Sequence, residues 1–196
     1  MKTAVIAICL CTLPLAGAAL TQAERDALLA QIDKSSRTFL ASLEGVSEAQ
    51  WNFKPAPDRW SIAECAEHVA ITDQMMFIFV TGQLLKMPVP EKPEHRGDDA
   101  VLSTAADRSK KVKTAEFLEP KGRFHSRAEL VAAFEANRAK IVDYVKTTPD
   151  DLRSHGAEGP AGYLDGYQFF LSASAHGERH SQQIAEVKAD PGYPKK

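Results

Sequence analysis

This sequence has few cysteines, a net charge close to zero and only one long apolar run. It has 3 cysteines in 196 residues, and Cys9 and Cys11 lie within the first twenty. If both are removed on export, Cys65 is the only cysteine left and an internal disulfide is excluded. The 24 basic and 26 acidic residues give a formal net charge of −2, with no basic run interleaved with aromatics. This distribution argues against a nucleic-acid partner.

The single long apolar run lies at the N-terminus and has the three regions of a secretory signal peptide. Lys2 supplies the positive start, residues 4–15 are almost wholly apolar, and residues 16–18 are small. The run is too short to span a bilayer well. The sequence therefore predicts a signal peptide over 1–18 and a domain over 19–196. The domain is expected to be periplasmic or secreted, with no membrane partner after cleavage; a buried N-terminal helix is the alternative.

Four start signals divide the remaining chain into helices. In each, a capping residue is followed three positions later by Glu or Gln, and then by apolar residues at helical spacing. The capping residues are Thr21, Ser61, Ser126 and Asp165, and the predicted helices span 22–44, 62–85, 127–146 and 166–188. Because no segment alternates with period two for long enough, no strand is predicted. The expected fold class is all-α, a four-helix bundle.

The lengths of the connections predict the directions of the helices. The segment 86–125, between the second and third predicted helices, is far longer than the other two connections. A segment of that length can cross the whole bundle, so these two helices are predicted to be parallel. The topology would then be up-down-down-up, with a long crossover between helices 2 and 3. A short helix within 98–113 and an extra helical turn starting at Thr148 are also predicted.

Three of the 6 histidines fall at matching depths in the predicted bundle. His176 and His180 are four residues apart on the fourth helix, so their side chains share a face. His68 lies about 10 Å into the second helix, where antiparallel packing would bring it beside the other two. Such a His-x-x-x-His pair alone more often serves a surface or core role, but the third histidine favours a metal site. Three imidazoles with open positions would hold a divalent metal ion, Zn²⁺, Ni²⁺ or Fe²⁺, and a water.

Three neighbours of these histidines each have a functional and a structural interpretation. Glu64 is a candidate base, but its spacing from Ser61 favours a helix cap. Cys65 could be a fourth ligand or a nucleophile, although a lone cysteine on an apolar helix face is more often a core residue. Gln183, one turn beyond His180, could donate to a bound water or to substrate, although glutamines on long helices usually have structural roles.

Two segments resemble the signature segments of the DinB-like superfamily of damage-inducible helical bundles. They are WSIAECAEH at 60–68 and HGERHSQQI at 176–184, and LDGYQ at 164–168 with Phe134 and Arg138 also fits. The resemblance covers essentially the whole predicted mature chain. It implies an up-down-down-up four-helix bundle with a metal between helices, and the family's ligands carry over to His68, His176 and His180.

The same resemblance implies more about activity and partners. Some relatives are thiol-dependent transferases or isomerases, and dimers are common among them, so a homodimer is an expected alternative to a monomer. Export is a departure, since the well-understood relatives are cytoplasmic, and it puts in doubt a reaction that needs a cytosolic thiol.

Two classes of function are open from the sequence. The first is a metal-dependent transferase or hydrolase acting on a small molecule, with a metal-activated water or thiolate as nucleophile. The second is a non-catalytic, stress-related bundle that binds a metal or another ligand. The sequence has no serine elbow, phosphate loop or carboxylate pair at catalytic spacing that would decide between them.

Overall fold

The computed structural model describes residues 18–91, 96–109, 111–159 and 161–195. The signal peptide predicted over 1–18 therefore falls, except for Ala18, outside the described residues. The helices are α1 (Gln22–Leu43), α2 (Glu48–Trp51), α3 (Ile62–Gly82), α4 (Asp98–Ala106), α5 (Arg127–Thr147) and α6 (Gly166–Lys188), and the strands are β1 (Gly156–Gly159) and β2 (Gly162–Asp165). Within these described ranges, no helix has the length and apolar character needed to cross a membrane.

The helices begin at the predicted caps. Complete capping boxes open α1 at Thr21, α3 at Ser61 and α6 at Asp165. At the start of α5, the Ser126 hydroxyl accepts from the Glu129 N–H at 3.1 Å. The Glu129 carboxylate does not complete that box, because it accepts instead from the N–H of His125, the residue before the cap, at 2.7 Å.

Short helical elements account for most differences from the predicted boundaries. A capping box of Ser47 and Gln50, which the sequence interpretation overlooked, opens α2. The second predicted helix ends at Gly82 rather than at residue 85, and a 3₁₀ turn, Leu84–Lys86, follows it. The short crossover helix, α4, ends at Ala106 rather than at 113. A second 3₁₀ turn, Glu116–Leu118, lies later in the crossover.

The prediction of no strand is wrong for residues 156–165. There β1 and β2 form an antiparallel hairpin in which Gly156 pairs with Asp165 and Gly159 with Gly162. Each strand has 4 residues, which is too short for a period of two to be recognised. Gly162 has a φ of 97°, a conformation that side chains oppose. Since Asp165 ends β2 and caps α6, the hairpin fixes where α6 begins.

The helical turn predicted from Thr148 is also absent. The Thr148 hydroxyl instead accepts from the backbone N–H of Asp150 at 3.1 Å. The Asp151 carboxylate accepts from the N–H groups of Arg153 and Ser154 at 3.1 and 3.0 Å. These local side-chain bonds satisfy the backbone in place of helical bonds.

The four long helices pack into a bundle, and contacts near their ends show which ends meet. Arg25, near the start of α1, donates to the carbonyls of Val145 and Thr148 at the end of α5. Arg127, the first residue of α5, donates to the carbonyl of Val46, just beyond α1, at 2.6 Å. The start of each of these two helices therefore lies beside the end of the other.

Helix α3 packs against both α5 and α6. Asn137 of α5 donates to the Ala70 carbonyl of α3 at 3.0 Å, and Arg138 forms a buried ion pair with Asp73 at 2.6 Å. The side chain of Cys65 belongs to the apolar cluster at one end of the bundle, and a second apolar cluster fills the other end. This packing leaves the first turns of α3 beside the second half of α6.

Candidate metal centre

The structure brings the three predicted histidines into one cluster. His68 comes from the second turn of α3, and His176 and His180 come from successive turns of α6. The Nε2 atom of His176 lies 3.1 Å from Nε2 of His68 and 3.0 Å from Nε2 of His180. Among the described residues, these three form the candidate metal-binding group, with ligand atoms that all lie within 4.8 Å of one another.

The crossover sets the tautomer of His68. Nδ1 of His68 lies 2.8 Å from the carbonyl oxygen of Leu118, in the second 3₁₀ turn. A carbonyl only accepts hydrogen bonds, so Nδ1 carries the proton and donates. The unprotonated Nε2 of His68 then directs its lone pair at the other two histidines. A backbone acceptor on the far nitrogen is the usual way in which proteins orient a histidine ligand.

The environment favours the neutral form of all three imidazoles. Burial lowers the pKa of His68 below its ordinary value, against the opposing hydrogen bond to Leu118. Burial, followed by the charges of neighbouring histidines, holds the pKa of His176 and of His180 well below the usual range. A neutral imidazole has a free lone pair, which is the form that binds a metal.

The chemistry of the cluster fits a divalent metal ion. Metal–nitrogen bonds of about 2.0–2.1 Å at a tetrahedral ion place the nitrogens about 3.3 Å apart, close to the 3.0 and 3.1 Å between the Nε2 atoms here. The outer Nδ1 atoms of His176 and His180 are buried without a protein partner. Buried polar atoms are normally hydrogen-bonded, so these two nitrogens are expected to donate to ordered water beyond the ligands.

Trp60 covers one side of the cluster. It immediately precedes the cap of α3, and its ring centroid lies 4.9 Å from that of His68 and 5.8 Å from that of His180. The Trp60 and His180 rings are stacked, at an interplanar angle of 19°. The indole therefore restricts the orientation of both imidazoles and keeps bulk water from that side.

The three neighbours singled out from the sequence do not join the histidine cluster. The carboxylate of Glu64 accepts from the N–H of Ser61 and pairs with Lys54 at 2.7 Å. Cys65 is fully buried among apolar side chains, and burial raises the pKa of its thiol. Oε1 of Gln183 accepts from Arg108 at 3.2 Å, so Gln183 links α6 to the crossover.

The sequence places Glu67 beside the site but does not predict its role, which is to fix the crossover there. Its carboxylate accepts from the backbone N–H groups of Lys121, Gly122 and Arg123 at 2.9, 2.9 and 3.2 Å. Burial raises the pKa of Glu67, but these hydrogen bonds and the one from the Arg123 side chain lower it by more. The pKa of Glu67 is therefore below its ordinary value. The only signal was its position next to His68, because its partners lie more than fifty residues away. Arg108, in the crossover, was also missed, because its partners Gln183 and Glu186 are more than seventy residues away.

Comparison with known proteins assigns the family. The sequence profile of the DinB superfamily matches residues 31–184. The chain belongs to the DinB superfamily. It is 25% identical over 147 residues to the protein YuaE of Bacillus subtilis (strain 168), covering 74% of this chain and 88% of YuaE.

A solved structure has the same fold as this chain. Its description reads "YfiT from Bacillus subtilis is a probable metal-dependent hydrolase with an unusual four-helix bundle topology". The match has a TM-score of 0.60 at 12% sequence identity and covers 90% of this chain and 92% of YfiT. At this identity the likeness establishes only the bundle fold. The family predicted from the signature segments is confirmed by the match of the DinB superfamily profile.

Proposed function

We propose that this DinB-superfamily protein is a metal-dependent hydrolase or transferase that acts on a small molecule, with the ion held by His68, His176 and His180. The observation that carries the proposal is that Nε2 of His176 lies 3.1 Å from Nε2 of His68 and 3.0 Å from Nε2 of His180, with the ligand atoms of all three residues within 4.8 Å of one another. The description of YfiT as a probable metal-dependent hydrolase supports hydrolysis over transfer. Zn²⁺, Ni²⁺ and Fe²⁺ all suit three imidazoles.

The protein's own residues would orient and shield the reaction. When bound, the ion supplies a Lewis acid that activates a water or a thiol and polarises the substrate. Leu118 fixes the His68 ring through Nδ1, and Trp60 excludes water from one side. Gln183, one turn beyond His180, is placed to contact a substrate if it exchanges its bond with Arg108.

A non-catalytic metal-binding role is the second candidate, and one observation favours it. Glu64 and Glu67, the acidic residues flanking the site on α3, are both committed to structural partners. Neither carboxylate is available as a general base in this arrangement. A purely binding protein would need no such base, whereas an enzyme would rely on the ion itself.

Elemental analysis of the purified protein tests the metal, and anion binding to the Co²⁺-loaded form separates the two candidates. An enzyme requires an open coordination position, so added azide should change the cobalt absorption spectrum, and the metal-loaded protein should hydrolyse a member of an ester and amide panel. One ion per chain, with a cobalt absorption spectrum that azide does not change, would favour the binding role. Absence of stoichiometric metal would overturn both candidates.

We further propose the up-down-down-up direction of the helices. The ends of α1 and α5 that meet, and the contacts of the first turns of α3 with both α6 and the segment before α5, support it. A cross-link between cysteines introduced at Glu24 and Lys146, near the meeting ends of α1 and α5, would test the first of these pairings.

Export with cleavage after Ala18 is also proposed. It rests on the N-terminal sequence pattern, and cleavage there would keep Thr21, which caps α1, and Leu20, which is buried in the core. We expect N-terminal sequencing of protein from the native host to begin at Ala19. A sequence beginning at residue 1, from protein recovered in the cytosol, would contradict export.

A further inference from the structure

The crossover places an arginine beside the histidine cluster. Arg108 lies two residues beyond the end of α4, and its guanidinium donates to Oε1 of Gln183 at 3.2 Å and to the Glu186 carboxylate at 2.8 and 3.3 Å. Gln183 is three residues after His180 on α6, so Arg108 is bound to a residue that lies about one helical turn beyond this histidine. The Arg108 side chain is 24% exposed, and a ligand in solution can reach it.

The ligand set provides no negative charge to balance a metal ion. The candidate group among the described residues consists of three histidines, and a histidine binds a metal ion as a neutral imidazole. Glu64 and Glu67 are bound to other partners, and Glu178 of α6 pairs with Lys34 at 3.1 Å. A divalent ion held by neutral ligands keeps its full charge, and in a poorly hydrated site this charge and that of Arg108 favour an anionic ligand.

Glu186 shows which kind of anion suits Arg108. Nε and Nη2 of Arg108 both donate to the Glu186 carboxylate, and Arg59 approaches the same carboxylate at 3.7 Å. This fork of two donors is the geometry in which guanidinium binds carboxylates. The side chains of Arg59 and Glu186 are 41% and 43% exposed. An external carboxylate could therefore take the place of Glu186 without any change in the core.

We propose that Arg108 determines substrate specificity by binding a carboxylate of the small-molecule substrate while the reacting group of the substrate lies at the three histidines. The substrate class is then a small molecule with at least one carboxylate remote from the reacting group. This proposal rests on the proposed metal centre. It assigns to the crossover a role in recognition, in addition to orienting His68.

Titration of the Co²⁺-loaded protein with dicarboxylates tests the proposal. Each acid from malonate to adipate is compared by calorimetry, at constant ionic strength, with the monocarboxylate of the same carbon number. We expect at least one dicarboxylate to bind about tenfold or more tightly than its monocarboxylate, which is the gain of a second charge-assisted contact. Arg108→Gln should abolish that preference, whereas Arg37→Gln, which removes an exposed partner of Asp33 on α1, should keep it.

Glu186→Gln distinguishes recognition from a structural role of Arg108. This variant removes the carboxylate that competes for Arg108, so it should strengthen dicarboxylate binding, opposite in sign to Arg108→Gln. If Arg108 only ties the crossover to α6, both variants loosen the same contact and change affinity in the same direction, which would overturn the proposal. A wild-type protein with no dicarboxylate preference would also overturn it.

Bound Co²⁺ is measured in the wild-type protein and in every variant. A wild-type chain that binds no Co²⁺ would overturn the metal centre itself. One ion per chain without the dicarboxylate preference would overturn only the assignment of Arg108.

Discussion

At the scale of single residues, the site depends on which nitrogen of each histidine faces inward. Only His68 has a described protein partner for its outer nitrogen, the Leu118 carbonyl at 2.8 Å. The outer nitrogens of His176 and His180 are buried without one. His68 is thus the ligand that the protein orients most directly, and it is the residue that joins α3 to the pair on α6.

The first prediction at this scale is that His68→Ala sharply lowers metal affinity. Removing a ligand should cost more than the roughly 10–100-fold typical of removing an outer-sphere partner, so we expect a loss of more than about 100-fold. Bound metal per chain after dialysis against a weak chelator measures the effect. His125→Ala is the matched control, because the His125 side chain is exposed and lies outside the cluster. Equal metal retention in the two variants would refute the three-histidine site.

At the scale of elements, the hairpin and α6 act as one unit. Asp165 is both the last residue of β2 and the cap of α6, and Arg153 donates to its carboxylate at 3.1 Å. The register of β1 and β2 therefore determines where α6 starts and how its two histidines are placed. Gly162, the first residue of β2, has a φ of 97°.

We predict that Gly162→Ala destabilises the protein by about 1–3 kcal/mol, because a side chain strains this backbone conformation. The added Cβ would also lie 3.0 Å from Nη1 of Arg96, whose side chain can move. Urea denaturation measures the change in the free energy of unfolding. Gly82→Ala is the control, since nothing lies within 4 Å of its added Cβ and its φ is not positive. That substitution should be neutral or stabilise by up to about 1 kcal/mol, and an equal loss in both variants would exclude strain at Gly162.

At the scale of the whole molecule, the histidine cluster joins three parts of the chain that are distant in sequence. α3 contributes one ligand candidate, α6 contributes two, and the crossover contributes the Leu118 carbonyl. A metal ion that binds the three histidines only in the folded state must stabilise the fold as a whole.

Metal removal should therefore lower the melting temperature. At a free metal concentration of about 100 times Kd, binding contributes about 2.7 kcal/mol, which corresponds to a shift of roughly 5–10 °C for a chain of this size. Differential scanning calorimetry with and without a strong chelator gives the shift. His68→Ala should show little or no shift. A wild-type melting temperature that is the same with and without chelator would show that no ion links α3 to α6.

The sequence by itself determined the helices, because their signals are local. A cap and the residue three positions later interact within one turn, so Thr21, Ser61 and Asp165 could be recognised as helix starts without any knowledge of the fold. The pairing of His176 with His180 follows equally from helical periodicity. Their meeting with His68 was predictable only through the lengths of the connections and the family resemblance.

Only the tertiary structure decided the features that depend on partners far away in the chain. The hairpin strands are too short to leave a pattern, and Glu67 and Arg108 act on partners more than fifty residues distant. Such contacts have no fixed sequence spacing, since they arise where the crossover passes over the bundle. The physical reason is that capping and periodicity are set by the geometry of a single helix, whereas the surroundings of the metal centre are set by how separate segments pack.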